Sequence, residues 1–581
     1  MRRGAATLAL GAMGVLILLA TVPSLGAPAS SAPSGAASAD PFAVSTPTAA
    51  ASVASAAPSA APAAFEPPRF IDEAATAGID HPYDGGFSYF VGGGVAVFDC
   101  NGDGRQEVYL AGGAGAAALY RNDSELAGAL RFTRVPDPAT DLTQVTGAYP
   151  LDIDGDGATD LAILRVGENV LLRGLGACRF EAANAAWGLA GGDRWTTAFS
   201  ATWEPSAGWP TLAFGNYRNE ASTDIDHLCF DNELVRPNAT NDGFAPSRTL
   251  TPSWCALSML FSDWDRSGRR DLRISNDRHY YSDYSDGEEQ LWRMTVDQPP
   301  RPWTHAEGWQ ELKIWGMGIA SQDLTGDGFP EIFLTNQGDN KLETLTDGAA
   351  QPRYDNIAPD RGAAVTRPFA GDVNMRSTAW HAEFQDVNND SFMDLFVAKG
   401  NVEAMPDYAT LDPSNLLLGQ ADGSFVESTE AAGIVSFARA RGAALADFNL
   451  DGMLDLIIVN RRVNVKLYRS LGWGDATNPH PMGNWIALDL RQSGPNRNAI
   501  GAWIEVRVGD RSIWREVTIG GGHAGGQLGR IHLGLGAADQ AQVAVRWPDG
   551  EAGPWLAVRA NGFYTVERGA PEALRWTPAA N

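Results

Sequence analysis

The stretch Leu151–Arg165 reads LDIDGDGATDLAILR and sets carboxylates at Asp152, Asp154, Asp156 and Asp160 with glycines between them. Alternating oxygen side chains around a tight glycine turn suit a hard cation, because Ca²⁺ gathers six to eight oxygens at about 2.3–2.6 Å. An EF-hand loop begins the same way, but it closes with a Glu at its twelfth position and leads into a helix. Here the twelfth position is Ile163, and the apolar, partly β-branched run after Asp160 reads as a strand.

The device repeats. FDCNGDGRQEVYL carries Asp99, Asn101, Asp103 and Glu107, and SDWDRSGRRDLRI carries Asp263, Asp265, Ser267 and Asp271. Three more copies follow, with Asp323, Thr325, Asp327 and Glu331, with Asp386, Asn388, Asp390 and Asp394, and with Asp447, Asn449, Asp451 and Asp455. Every copy keeps oxygen side chains at loop positions one, three, five and nine and runs into an apolar strand. The copies start at residues 99, 152, 263, 323, 386 and 447, so one interval is double the others and a seventh copy is due near residue 203. TWEPSAGWPTLAFGNY stands there, with Gly208 and the strand TLAFG in phase but Trp203, Pro205, Ala207 and Thr211 at the ligand positions. That copy keeps the architecture and is expected to bind no ion. A lone D-x-D-G is more often an acidic turn, but six in phase point to about six Ca²⁺ sites.

A β-rich period near 60 residues with Gly-rich turns suits a four-stranded propeller blade, and seven such units close a disc. The strands before the loops (GGGVAVFD, GMGIASQD, RGAALADF and their counterparts) are rich in small residues, as crowded innermost strands must be. These repeats resemble the FG-GAP or VCBS repeats of integrin-α-type propellers over roughly residues 65–471, and the resemblance implies that the loop joins the innermost strand to the next. From Asn484 the pattern changes to alternating strands, and the elements NRNAIGAWIEV, GGGHAGGQ, HLGLG and VRWPDG resemble an ASPIC/UnbV domain over about residues 485–568. Together the two parts resemble bacterial members of the cartilage acidic protein family. The expectation is an all-β chain, with a seven-bladed propeller over 65–475, a small β-sandwich-like domain over 483–570 and a tail at 571–581. GGGHAGG lacks the Lys-Ser/Thr of a phosphate loop and reads as a β-turn.

The 581 residues are 44% hydrophobic, ordinary for a globular chain, but the formal charge of −26 is not ordinary. The six loops hold nineteen carboxylates, so most of the excess acidity is ligand charge, and it argues against a nucleic-acid partner. Residues 1–26 have a basic start, an apolar run and small residues at Ser24 and Gly26, which reads as a secretory signal, with an uncleaved membrane anchor as the alternative. An Ala/Pro/Ser tract at 27–64 reads as a disordered spacer. The folded part is expected outside the cytoplasm: periplasmic, secreted or on the cell surface. Four cysteines in an exported chain favour disulfides, Cys229 with Cys255 across one inter-blade segment and then Cys100 with Cys178, against four buried thiols.

The eighth residue before each loop start marks the channel mouth opposite the loops. Trp195, Trp315 and Arg439 fall there, with Trp380, His381 and Arg441 nearby, a set that suits a ligand rim or packing between blades. The insertion Asn276–Trp292 is a second candidate surface. The eight histidines are dispersed and neither H-E-x-x-H nor G-x-S-x-G occurs. The expected function is therefore noncatalytic, calcium-stabilised binding or adhesion with a protein or glycan partner. The alternative is a hydrolase or lyase acting on a glycan or small molecule at the channel mouth.

Overall fold

A computed structural model describes residues 66–222, 228–277, 287–296, 298–346, 348–364 and 375–579. The expected signal and spacer, and part of the Asn276–Trp292 insertion, lie outside the described residues. Among the described residues no helix is long and apolar enough to cross a membrane.

Seven four-stranded antiparallel units follow one another along the chain. Their innermost strands are Val95–Phe98, Thr143–Leu151, Arg194–Thr202, Ala256–Ser262, Gly316–Gln322, Ala379–Gln385 and Ala440–Ala446. Each packs against the next and the last packs against the first, so the units form a closed ring, numbered here as blades one to seven. Small residues make this crowding tolerable: Ala440–Ala446 reads ARGAALA and is buried throughout. The apolar core is accordingly divided among the blade interfaces. Tyr149, Phe199 and Phe214 fill the one between blades two and three, and Phe333, Phe384 and Phe425 the one between five and six.

The ring is closed by the start of the described chain. Arg69–Asp72 pairs antiparallel with Lys466–Gly472 as the outermost strand of blade seven, with Phe70 opposite Ser470. Buried Glu73 meets Arg469 at 3.0 Å, and Asp72 meets Lys466 at 2.6 Å, beside this seam.

Beyond the propeller, two four-stranded sheets face a common core of Ile486, Leu488, Ile504, Val506, Leu533, Val543 and Val545. One contains a parallel pair, Asn484–Arg491 with Gly562–Glu567. The expected tail is not free: Leu574–Trp576 forms the edge strand of that sheet, and Trp576 packs edge-on against Phe563.

GGGHAGG, which the sequence suggests is a β-turn, lies inside the ring of blades. The segment Ile519–Leu528 leaves the C-terminal domain, enters the central channel and binds the innermost strands of blades three to six in order, then those of blades two and one. The Ile519 carbonyl accepts from Ala201 N–H at 3.2 Å in blade three, Gly521 N–H donates to Met259 O at 2.7 Å in blade four, and Gly522 N–H donates to Ile319 O at 2.7 Å in blade five. His523 N–H donates to His381 Nδ1 at 3.1 Å in blade six. The Ala524 carbonyl accepts from Ala148 N–H and the Gly526 carbonyl from Val97 N–H, each at 3.1 Å, and Gln527–Leu528 then runs parallel to Val97–Phe98. The glycines are steric requirements. A Cβ on Gly522, which has φ of 54°, would strike the His381 ring, and one on Gly94 would overlap the Ala524 carbonyl. His523, fully buried at the tip, accepts through Nε2 from Gly92 N–H at 3.1 Å and packs on Trp380. Burial pushes its pKa down to about 3, which keeps that nitrogen an acceptor.

If this plug is part of the folded core, Gly94→Val should cost about 1–3 kcal/mol as an overpacking change. Gly86→Ala, where no atom lies within 4 Å of the new Cβ, should melt like the parent. Equal melting temperatures for both variants, measured by calorimetry, would mean the segment does not occupy the channel.

Candidate functional site

The six carboxylate loops lie on one face of the ring, each between the first and second strands of its blade. Positions four and six of every loop adopt positive φ, between 57° and 93°, even where Arg266, Asn389, Ser391 and Leu450 replace glycine. This double left-handed turn aims backbone N–H groups inward. The position-one carboxylate accepts from the amide of position six: Gly104 to Asp99 at 2.8 Å, Gly328 to Asp323 at 2.9 Å, Ser391 to Asp386 at 2.7 Å and Gly452 to Asp447 at 2.8 Å. The position-nine carboxylate opens the second strand and is buried. Asp160 accepts from Ile153 N–H and Gly174 N–H, both at 2.7 Å, and Asp394 and Asp455 repeat the pattern with Val387 and Gly419 and with Phe448 and Ser470.

These contacts leave oxygen lone pairs facing one another. Ligand oxygens of Asp152, Asp154 and Asp156 lie within 4.8 Å of each other. Among the described residues, the buried Asp152 Oδ1 and Asn449 Oδ1 have no hydrogen-bond partner. Such orphaned acceptors fit a hard cation taking oxygen donors. The electrostatics agree. Burial, reinforced by neighbouring carboxylates, raises Asp160 and Glu107 to about 8, Glu331 to about 7 and Asp152 to about 6. Asp386, Asp394, Asp447 and Asp455 are raised well above the usual carboxylate range for the same reasons.

Blade three has no such set. Trp203 and Trp209 are buried in its apolar interface, and Thr211 donates instead to Glu204, which Arg236 neutralises at 2.7 Å. Blade four keeps Asp263, Asp265, Ser267 and Asp271, but Arg269 lies among them, 2.9 Å from Asp271 and 3.2 Å from Asp265.

At the opposite mouth the residues expected to form a rim are largely interior. Trp195 is 3% exposed, Trp380 1% and Arg441 0%. Trp195 packs on Tyr217, while Arg441 lies 4.0 Å over the Trp380 ring and donates to the carbonyls of Phe90 and Val402, each at 2.7 Å. His381 faces the plug. A side chain after or between channel-facing strand positions packs into the wall, and only Trp315 and Arg439 of the six stay partly exposed. Arg439 pairs with Glu403 at 3.4 Å. The cysteines form two disulfides: Cys100–Cys178 ties the blade-one loop to blade two, and Cys229–Cys255 joins blades three and four near this mouth.

What sequence reasoning missed is that the C-terminal domain covers the loop face and touches every carboxylate loop. Arg530 donates to Gly104 O at 2.8 Å and Arg497 to Gly155 O at 2.7 Å. Glu516 accepts from Asp263 N–H at 2.9 Å, and Arg266 stacks on Trp503 and Trp514 at 4.1 and 4.6 Å. Trp514 O accepts from Gln322, next to the blade-five loop, and Ser512 O lies over Gly326 of that loop. His532 bonds Asn389 Oδ1 at 2.6 Å, and the Trp485 ring lies over Gly452. The only hint was the row of arginines and tryptophans in NRNAIGAWIEVRVGDRSIWREV, which also serves an ordinary sandwich surface.

Residues 99–163 and 386–458 match the FG-GAP-like repeat family, and residues 492–573 match ASPIC and UnbV. The chain is 24% identical to cartilage acidic protein 1 of Mus musculus over 259 residues, a match that spans 40% of this chain and 37% of the relative. Similar solved structures include BBS1N in complex with ARL6DN, at 10% identity and a TM-score of 0.38 over 67% of this chain and 93% of that one. AofleA from Arthrobotrys oligospora matches at 11% identity and a TM-score of 0.33 over 59% of this chain and 86% of its own.

The raised carboxyls carry a pH signature. Without a cation, the folded protein binds more protons than the unfolded chain from the ordinary carboxylate range up to about pH 8, so stability falls as pH rises through that window. In chelator the protein is therefore expected to melt at higher temperature near about pH 6 than near about pH 8. A melting temperature that climbs over that interval in chelator would show that the carboxylates are not held apart from solvent.

Proposed function

We propose that this chain, built of FG-GAP-like repeats and an ASPIC and UnbV domain and similar to cartilage acidic protein 1, is an exported, noncatalytic binding protein. Calcium stabilises its propeller, which recognises a protein or glycan partner. The observation that carries the metal reading is the pair of buried, unpartnered ligand oxygens, Asp152 Oδ1 and Asn449 Oδ1, inside loops whose other donors are already fixed. Export supports the same reading, because loops with neutral Asn or Thr donors fill where Ca²⁺ is near millimolar.

The plug supports binding over catalysis. The channel is occupied by residues 519–528; His381 in the wall accepts from that segment and His523 within it accepts from Gly92, so neither faces an open cleft. The loop face is covered by the C-terminal domain. A partner therefore meets the opposite face and the outer blade edges, where Trp315 and Arg439 remain accessible.

At a Kd of about 0.5 mM, about 2 mM Ca²⁺ stabilises by roughly 1 kcal/mol per independent loop, which sums over the loops to something like the whole stability of a domain. Chelation is expected to lower the melting temperature strongly, and Asp156→Ala to shrink the calcium-dependent gain. Identical melting curves in chelator and in excess calcium would remove the metal from this account. For the partner, a glycan array and pull-down with and without calcium should give saturable binding without turnover. A reaction product that disappears in His381→Ala would establish the enzymatic alternative instead.

A further inference from the structure

Resting on the calcium reading above, we infer that the blade-four loop takes no calcium, because the Arg269 guanidinium is its built-in cation. The two oxygens of Asp271 already receive five donors. Met294 N–H and Arg269 Nε bind Oδ1, each at 2.9 Å. The indole N–H groups of Trp264 and Trp303 bind Oδ2 at 3.0 and 2.9 Å, and an Arg269 terminal nitrogen reaches the same oxygen at 3.3 Å. The same nitrogen lies 3.2 Å from Asp265 Oδ2, at loop position three. A carboxylate oxygen offers two lone pairs, so Asp271 has none left for a metal.

The equivalent carboxylates differ. Asp160, Asp394 and Asp455 each accept two backbone amides, one per oxygen. In those loops position two donates its backbone amide, whereas in blade four it is Trp264, whose indole donates. Two other loop-side arginines do not play this part. Arg105, at the same loop position as Arg269, turns away and donates to Ser124 O at 2.9 Å. Arg173 binds Asp154 and Asp156 at 2.8 Å each but does not reach position nine, and Asp152 Oδ1 stays unpartnered. Arg269 alone spans loop positions three and nine, among the described residues, and so occupies the place where an ion would bridge them. Calcium entering there would have to expel a bidentate guanidinium and unpair two indoles.

Native mass spectrometry of the full chain, stripped with chelator and returned to millimolar calcium, counts the bound ions. The loops at Asp99, Asp152, Asp323, Asp386 and Asp447 should fill and the loop at Asp263 should not. Asp265→Asn should leave the count unchanged, and Arg269→Ala, which frees Asp265 and one face of Asp271, should raise it by one. Loss of one ion in Asp265→Asn, or no gain in a folded Arg269→Ala, overturns the assignment. If Arg269→Ala fails to fold, Asp265→Asn still decides. No ion on the parent protein at all would overturn the calcium reading itself, and this assignment with it.

Discussion

In each loop-bearing blade a carboxylate buried at the ninth loop position stands at the head of the second strand, where it accepts an amide or indole N–H from the second loop residue. In blades two, six and seven it also accepts an amide of the third strand. The loop, the innermost strand and the middle of the blade are thus pinned at one point. The constraint is electrostatic: several carboxylates share a space from which water is largely excluded, and burial alone pushes them toward protonation. Three different solutions appear around the ring. The loops of blades two and seven leave a buried oxygen without a hydrogen-bond partner, at Asp152 and Asn449, blade three abandons the carboxylates for a buried tryptophan and a Glu204–Arg236 pair, and blade four supplies an arginine.

The loops, their phase and the strands they join were legible because the information is local. Position one to position nine spans a single turn, and a missing ligand set at Trp203 still falls on the expected period. Arg269 was visible as a residue but not as a cation, since nothing in SDWDRSGRRDLRI distinguishes an arginine folded into the loop from one directed at solvent. The plug was illegible for a deeper reason. Apart from the His523 ring, its contacts run through backbone N–H and C=O groups, and its partners lie 142 to 431 residues away along the chain, so GGGHAGG offers little beyond the absence of side chains. The same glycines that permit close approach are those a surface turn would use. For the rim tryptophans the loop spacing left a ligand rim and packing between blades both open, and Trp195 and Trp380 are turned inward by packing.

The C-terminal domain is therefore part of the propeller's interior as much as its neighbour. It lays Arg497, Arg511 and Arg530 along an acidic face and donates to loop carbonyls and hydroxyls from the very turns that organise the ligands. Occupancy of the loops and seating of this domain must influence each other, because Gly104 and Gly452 lie under Trp576 and Trp485 with no room for a side chain. Blade four offers the firmest ground in this respect. Glu516, Arg266 and Arg270 join the two parts there through contacts that need no ion.

The seam at Arg69–Asp72 has a mechanical consequence. The ring is a chain of blades with one joint made between its two ends, and the residues leading into that joint are also the ones that connect the folded body to whatever precedes Glu66. A pull transmitted along those residues enters the disc at the joint and nowhere else. It meets a four-residue strand, backed by the Asp72–Lys466 and Glu73–Arg469 pairs, before it can reach any carboxylate loop. The blades are further held from within by a segment that binds six of the seven, so the disc resembles a spoked wheel whose rim has a clasp. A load on the clasp is borne by four residues, while six blades stay joined to one another through the hub.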